Sequence, residues 1–175
     1  MTDLRTFIVH VENVPGVLNR ITSLVRRRGY NIESLAVGRT EAPDVSRVTI
    51  VLPADDDAAR RIAANLYKLV NVLRVEDTWR RPTVVRELAL IKVRADVASR
   101  AHVMQLCEVF RARVIDVAPE ALICELTGAR DKIDGLVHVL APYGVVELAR
   151  TGALAMVRAA DAAAAVEEEP RPNAA

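Results

Sequence analysis

The chain has 175 residues, and its 24 Lys and Arg residues against 23 Asp and Glu residues give a formal net charge of +1. This balance offers no electrostatic reason to expect binding to nucleic acid or to an anionic membrane. Hydrophobic residues make up 51% of the chain and aromatic residues only 3%, so a globular core has to be filled with aliphatic side chains. The length allows one domain or two small ones.

Cysteine use and hydropathy are typical of a protein of the cytoplasm. Cys107 and Cys124 lie inside apolar patterns, which favours buried, reduced thiols over a disulfide. No N-terminal segment has the pattern of a signal peptide, and no apolar run is long enough to span a membrane. We therefore expect a cytoplasmic location.

Hydrophobic periodicity in the first half predicts the order strand, helix, strand, strand, helix, strand. Apolar residues occupy both faces of the first predicted strand, as in a strand inside a sheet. In the first predicted helix, one apolar stripe at spacings of three and four consists of Leu18, Ile21, Leu24 and Val25. The predicted strands are 4–11, 31–39, 46–52 and 70–77, and the predicted helices are 16–28 and 55–68.

The same order recurs in the second half, after Arg80-Arg81-Pro82-Thr83 breaks the pattern. The predicted strands there are 87–94, 114–117, 122–126 and 145–149, and the predicted helices are 99–110 and 131–140. The repeat predicts an α+β fold of two tandem ferredoxin-like βαββαβ domains, each with its helices on one face of a four-stranded antiparallel sheet. The predicted divisions are a first domain at 1–79, a linker at 80–85, a second domain at 86–152 and a flexible tail rich in Ala and Glu at 153–175.

The turn between the first strand and the first helix has the features of a ligand site. Pro15 presets the backbone for a first helical turn, and Gly16 allows another group to approach its backbone closely. The N–H groups of Gly16, Val17 and Leu18 have no partner inside the helix, and the helix dipole favours a carboxylate there. The surrounding side chains are small and aliphatic, which predicts binding of a small amino acid rather than catalysis.

Two asparagines lie at element boundaries beside this turn. Asn13 precedes the Pro-Gly pair, and Asn31 begins the second predicted strand. Ordinary capping explains each of them alone. Their joint placement next to Gly16 indicates a ligand role.

The second strand is predicted to lie at the edge of its sheet. Residues 32–38 contain one acid and neither Lys nor Pro, so this edge invites pairing with another chain. A two-fold dimer through it would continue the sheet and bring Asn31 and Ile32 of one chain close to residues 13–18 of the other. The pocket would then be shared between two chains. The edge residues expected at the contact are Ser34, Leu35, Ala36 and Val37.

The corresponding turn of the second half differs. It reads Ala95-Asp96-Val97-Ala98-Ser99 and contains no glycine. Asp96 would repel a carboxylate. We therefore expect the second half not to bind the same ligand in the same way.

No residue pattern indicates catalysis or a metal site. His10, His102 and His138 are far apart and none has a second ligand at metal spacing. Two cysteines are too few for an iron–sulfur cluster. A nucleophile elbow and a phosphate-binding glycine loop are both missing from the sequence, and the predicted sheet has too few aromatic residues to stack RNA bases.

Five stretches of the chain match motifs of one known family. They are Asn13-Val14-Pro15-Gly16-Val17-Leu18, Arg28-Gly29-Tyr30-Asn31-Ile32-Glu33-Ser34-Leu35, and the runs 68–75, 86–93 and 110–117. Together they resemble the small regulatory subunit of acetolactate synthase (acetohydroxyacid synthase). The first motif alone is typical of an ACT domain, whereas the second motif and the run 86–93 are more specific. The match covers about residues 4 to 152.

The resemblance implies a subunit without catalytic residues or cofactors of its own. Such subunits bind a large subunit that carries thiamine diphosphate, Mg and FAD, raise its activity, and confer feedback inhibition by valine or another branched-chain amino acid. By position, the residues that would hold the effector are Asn13, Gly16, Val17 and Leu18, with Asn31 and Ile32 of the partner chain closing the pocket.

Two alternatives stay open at this point. One is an amino-acid-sensing ACT module that regulates a different enzyme. The other is a nucleic-acid-binding protein of the same topology, which the near-neutral charge and the scarcity of aromatic residues disfavour.

Overall fold

The structure is a computed structural model that describes residues 3–161, and these residues form two compact units. The first unit contains residues up to Val84 together with those from Ala155 onward, and the second contains Val85–Leu154. The elements of the first unit are β1 (Leu4–Glu12), α1 (Val17–Arg27), β2 (Ser34–Arg39), β3 (Val45–Pro53), α2 (Asp56–Leu66) and β4 (Val72–Asp77).

The first unit contains a four-stranded antiparallel sheet with the order β2-β3-β1-β4. The interior position of β1 explains its two apolar faces, since Phe7 and Val9 enter the core while Ile8, on the opposite face, is also buried. β2 lies at the edge of the sheet, which confirms the sequence-based prediction.

α1 packs on this sheet through a stripe that begins one residue earlier than predicted. Val17, Ile21, Leu24 and Val25 are buried, whereas Leu18 is 40% exposed. The helix starts at Val17, and the spacing 17, 21, 24, 25 keeps one face toward the core. The assignment of Leu18 to the apolar stripe was therefore wrong.

The remaining elements of the described chain are β5 (Thr83–Arg94), α3 (Arg100–Val109), β6 (Arg113–Val117), β7 (Ala121–Gly128), α4 (Arg130–Leu140), β8 (Val145–Arg150), β9 (Leu154–Val157) and single 3-10 turns at Ala141–Tyr143 and Ala159–Asp161. The second unit repeats the arrangement of the first, with the strand order β6-β7-β5-β8. Its core is aliphatic, and the α+β prediction of two βαββαβ units is confirmed.

Two predicted boundaries need correction. β5 begins at Thr83, inside the predicted linker 80–85, and β9 lies inside the predicted tail 153–175. β9 forms through contacts with residues remote in sequence: Ala155 is buried, its carbonyl oxygen accepts a hydrogen bond from the guanidinium of Arg47, and the N–H of Arg158 donates to the Pro82 carbonyl at 2.8 Å. The part of the predicted tail from 162 onward lies outside the described residues.

Both cysteines are free and buried, as predicted. Cys107 lies on α3 and Cys124 on β7. Interaction with the Cys107 thiol, together with burial, raises the pKa of the Cys124 thiol. Within residues 3–161, no helix is long and apolar enough to cross a membrane.

We expect a chain shortened to end at Gly152 to be less stable than one that ends at Asp161. Only the chain that ends at Gly152 lacks β9 and the carbonyl oxygen to which Arg47 donates. A hydrogen bond to a charged group contributes about 1.5–3 kcal/mol, and each kcal/mol corresponds to about 2–4 °C in melting temperature at this chain length. Thermal denaturation of both shortened chains beside the full chain measures the effect, and equal melting temperatures for the two shortened chains would contradict it.

Candidate functional site

The turn that joins β1 to α1, residues 13–18, begins the candidate site. Gly16 is the N-cap of α1 and has a φ of +85°, in the left-handed region. A Cβ built at Gly16 would meet nothing within 4 Å, so the backbone angle, and not crowding by the described chain, calls for glycine here. Because the helix begins at Val17, Pro15 lies in the turn before it and not in its first turn.

No side chain within residues 3–161 caps the N-terminus of α1. None of them accepts a hydrogen bond from its first N–H groups, and its first turn contains no acid. α2 differs in both respects, since the Asp55 carboxylate accepts from the Ala58 N–H at 2.7 Å and Asp56 and Asp57 occupy the first turn. The first N–H groups of α1 are thus left for an external acceptor, which the helix dipole favours as an anion.

Hydrogen bonds of Asn13 link this turn to the turn between β2 and β3. Its Nδ2 donates to the Pro43 carbonyl and its Oδ1 accepts from the Ser46 hydroxyl, both at 3.0 Å, and its N–H donates to the Asp44 carbonyl at 2.7 Å. Because a carbonyl only accepts, the contact with Pro43 fixes the orientation of the amide. One N–H and one lone pair of the amide remain for another partner.

The predicted aliphatic contacts divide into buried and exposed residues. Val17 is 4% exposed and belongs to the core, so it offers its backbone N–H but little side chain. Leu18 is 40% exposed and Val14 is 47% exposed, and both are available to a ligand. Val14 was not among the predicted candidates, although an apolar residue in a turn without helical or strand periodicity is the signal that would have identified it.

The predicted residues Asn31 and Ile32 do not lie beside this turn in the same chain. In the first sheet, Ser34 at the start of β2 pairs with Val51, near the end of β3. The start of β3 pairs instead with the end of β1, and the end of β1 leads into the turn. The residues that precede β2 therefore lie at the opposite end of the sheet, at a distance of about 20 Å for a strand of this length. Asn31 is exposed, and Ile32 packs partly against the core of its own unit.

The exposed edge of the first sheet is formed by β2. Ser34, Leu35 and Ala36 are partly buried, and Val37 is 50% exposed. The sheet of the described unit ends at this strand, so the outer N–H and C=O groups of β2 have no neighbouring strand.

In the corresponding turn of the second unit, the acidic side chain of Asp96 accepts hydrogen bonds at the start of α3. One oxygen of the Asp96 carboxylate accepts from the Ser99 N–H at 2.8 Å and from the Ser99 hydroxyl at 2.6 Å. These hydrogen bonds lower the pKa of Asp96. A ligand carboxylate would meet this charge at the start of α3.

The three histidines lie on separate elements. His10 is in β1, His102 in α3 and His138 in α4. Burial and the Arg47 guanidinium lower the pKa of His10. Among residues 3–161, no three His, Cys, Asp or Glu side chains are grouped so that they could hold a metal ion.

Two family models match the chain in succession. The model of the AHAS small subunit-like ACT domain matches residues 7–74, and the model of the small subunit of acetolactate synthase matches residues 86–159. The chain is 49% identical over 153 residues to the acetolactate synthase small subunit of Mycobacterium bovis, which covers 87% of this chain and 91% of the relative. It is 46% identical over 153 residues to a probable acetolactate synthase small subunit of Archaeoglobus fulgidus, with 87% and 96% covered.

A solved structure supports the same assignment. The crystal structure of the acetolactate synthase small subunit from Thermotoga maritima is 40% identical in sequence and superposes with a TM-score of 0.83, covering 89% of this chain and 98% of that one. Its agreement extends over both units. The chain therefore belongs to the family of acetolactate synthase small subunits, with an ACT domain as its first unit.

Proposed function

We propose that the chain is a non-catalytic regulatory subunit that binds the large subunit of acetolactate synthase, raises its activity and confers feedback inhibition by a branched-chain amino acid. The small-subunit name of its relatives implies a large catalytic partner. That partner would carry thiamine diphosphate, Mg and FAD, whereas this chain would carry no cofactor.

The effector binds at the start of α1 in this proposal, and the uncapped N-terminus beside exposed aliphatic side chains is the observation that carries it. The N–H groups of Gly16, Val17 and Leu18 receive the carboxylate, as helix N-termini do for anions. Val14 and Leu18 offer a short apolar surface, which suits the side chain of valine. In this proposal the remaining lone pair of the Asn13 amide oxygen accepts from the effector ammonium.

A second copy of the chain completes the pocket. Antiparallel pairing of two β2 strands about a two-fold axis places the start of one strand beside the end of the other. The segment before β2 of the partner subunit then reaches the end of the sheet at which residues 13–18 lie. Asn31 and Ile32, which are remote from the turn within one chain, become its neighbours across the dimer.

We expect Gly16→Asp to abolish the valine response, and Gly16→Asn to weaken it much less. Both side chains meet the same left-handed backbone angle, which Asn and Asp tolerate better than most residues. Only Asp places a second carboxylate beside that of the effector, which costs on the order of 1–4 kcal/mol, or about tenfold to several-hundredfold in affinity.

The measurement is acetolactate formation by the reconstituted enzyme with and without valine, accompanied by calorimetric titration of the small subunit. Activation without valine shows that each variant is folded and assembled. A Gly16→Asp subunit that is inhibited at the wild-type valine concentration would place the effector elsewhere.

We expect Val37→Lys to weaken self-association, and Leu73→Lys to leave it unchanged. Both residues are exposed apolar residues on edge strands of the same sheet, Val37 on β2 and Leu73 on β4. Only the edge at β2 meets its own copy in the proposed dimer, so the substitution brings one lysine from each chain into the same interface. Sedimentation at micromolar concentration measures this, and equal dissociation of both variants, or of neither, would argue against a dimer through β2.

A further inference from the structure

The second unit contains an open cleft of about 530 Å³ at the turn from β5 to α3. This is the same position in the βαββαβ order that residues 13–18 occupy in the first unit. The cleft is lined by Arg94, Asp96, Ser99, Glu120, Tyr143 and Val146.

Three polar groups in this cleft are left without partners. The guanidinium of Arg94, the carboxylate of Glu120 and the hydroxyl of Tyr143 form no hydrogen bond or ion pair with any residue in the described part of the chain. Arg94 and Glu120 carry opposite charges in one cleft, yet they do not pair with each other. The lining therefore offers a cationic and an anionic group at the same time.

The walls of the cleft are held in place by hydrogen bonds from neighbouring residues. The guanidinium of Arg100 donates to the carbonyl groups of Ala95 and Ala118, at 3.2 and 3.0 Å, which ties the start of α3 to the turn between β6 and β7. The Ala95 N–H donates to the Glu120 carbonyl at 2.9 Å, and the Arg94 N–H donates to the Gly144 carbonyl at 3.0 Å. The cleft is thus formed before any ligand enters.

At Gly144 a side chain would disturb this arrangement. A Cβ built there would lie 3.3 Å from Cδ of Arg94, and the φ of +97° itself favours glycine. The Arg94 side chain therefore passes closely over Gly144 on its way to the cleft.

We propose that this cleft is a second binding site for a zwitterionic amino acid with a short apolar side chain. Arg94 binds the carboxylate, Glu120 with the free oxygen of Asp96 binds the ammonium, and the Tyr143 ring and Val146 contact the side chain. A simple anion or a simple cation leaves one of the two charged walls unmatched, whereas a zwitterion satisfies both. Arg94 takes the place that the helix N-terminus has in the first unit, because Asp96 already occupies the start of α3.

The proposal takes its ligand class from the function proposed above, but the two sites are independent. The test uses calorimetric titration of the full chain with valine, leucine, isoleucine and alanine. Four proteins are compared: the wild type, Gly16→Asp, Arg94→Gln and the double variant. Arg86→Gln serves as the matched control, since Arg86 is an exposed arginine of β5 outside the cleft.

We expect Gly16→Asp to retain one class of sites for at least one of the four amino acids. Adding Arg94→Gln is expected to weaken those sites by at least about tenfold, because a charge-assisted contact is lost, while Arg86→Gln changes nothing. Thermal denaturation checks that Arg94→Gln, which removes no side-chain hydrogen bond or ion pair of the described residues, leaves the fold intact.

Complete loss of binding in Gly16→Asp, or residual binding that is insensitive to Arg94→Gln, would overturn the second site. Failure of the first site gives a different result. In that case Gly16→Asp binds as the wild type does, and Arg94→Gln alone removes all binding.

Discussion

The antiparallel ladder of β1, β3 and β2 is the constraint on which the proposed regulation depends. The pairing of Glu12 with Val45 and of Ser34 with Val51 fixes the turn into α1 at one end of the sheet and the segment before β2 at the other. A strand cannot slip by one residue without turning its buried face outward, so this separation is a property of the fold. If both segments contribute to one pocket, the second segment has to come from another chain.

The first helices of the two units begin differently. In the first unit, a left-handed glycine precedes α1, and no side chain of the described residues accepts from its first N–H groups. In the second unit, the Asp96 carboxylate accepts from Ser99 at the start of α3, and Arg94 lines the cleft beside it. The same βαββαβ order thus presents peptide N–H groups at this position in one unit and charged side chains in the other.

Periodicity predicted most of the fold because nearly every strand and helix buries one face. Phe7 and Val9 in β1, and Ile133 and Leu136 in α4, are buried in a pattern that the sequence shows directly. β9 was missed because it is four residues long and lies beside an alanine-rich segment without periodicity. Its order depends on contacts with residues remote in sequence, such as Arg47, which no local pattern contains.

At the candidate site, the sequence identified the correct turn but not its conformation. The left-handed angle of Gly16 and the burial of Val17 in place of Leu18 depend on where the helix begins, and a pattern locates helix ends only to within a residue or two. The bonds of Asn13 to Pro43 and Ser46 depend on the pairing of β1 with β3 and on the turn that precedes β3. A local sequence pattern does not contain these hydrogen bonds, because they form between segments that meet only when the strands have paired.

A heterodimer of two differently tagged variants tests the shared pocket most directly. One chain carries Gly16→Asp and the other Asn31→Asp, so that one pocket of the heterodimer contains both changes and the other contains neither. The account predicts that each homodimer fails to bind valine at this turn, and that the purified heterodimer recovers about half of the wild-type capacity. A heterodimer that binds no more valine than the two homodimers would contradict a pocket built from two chains.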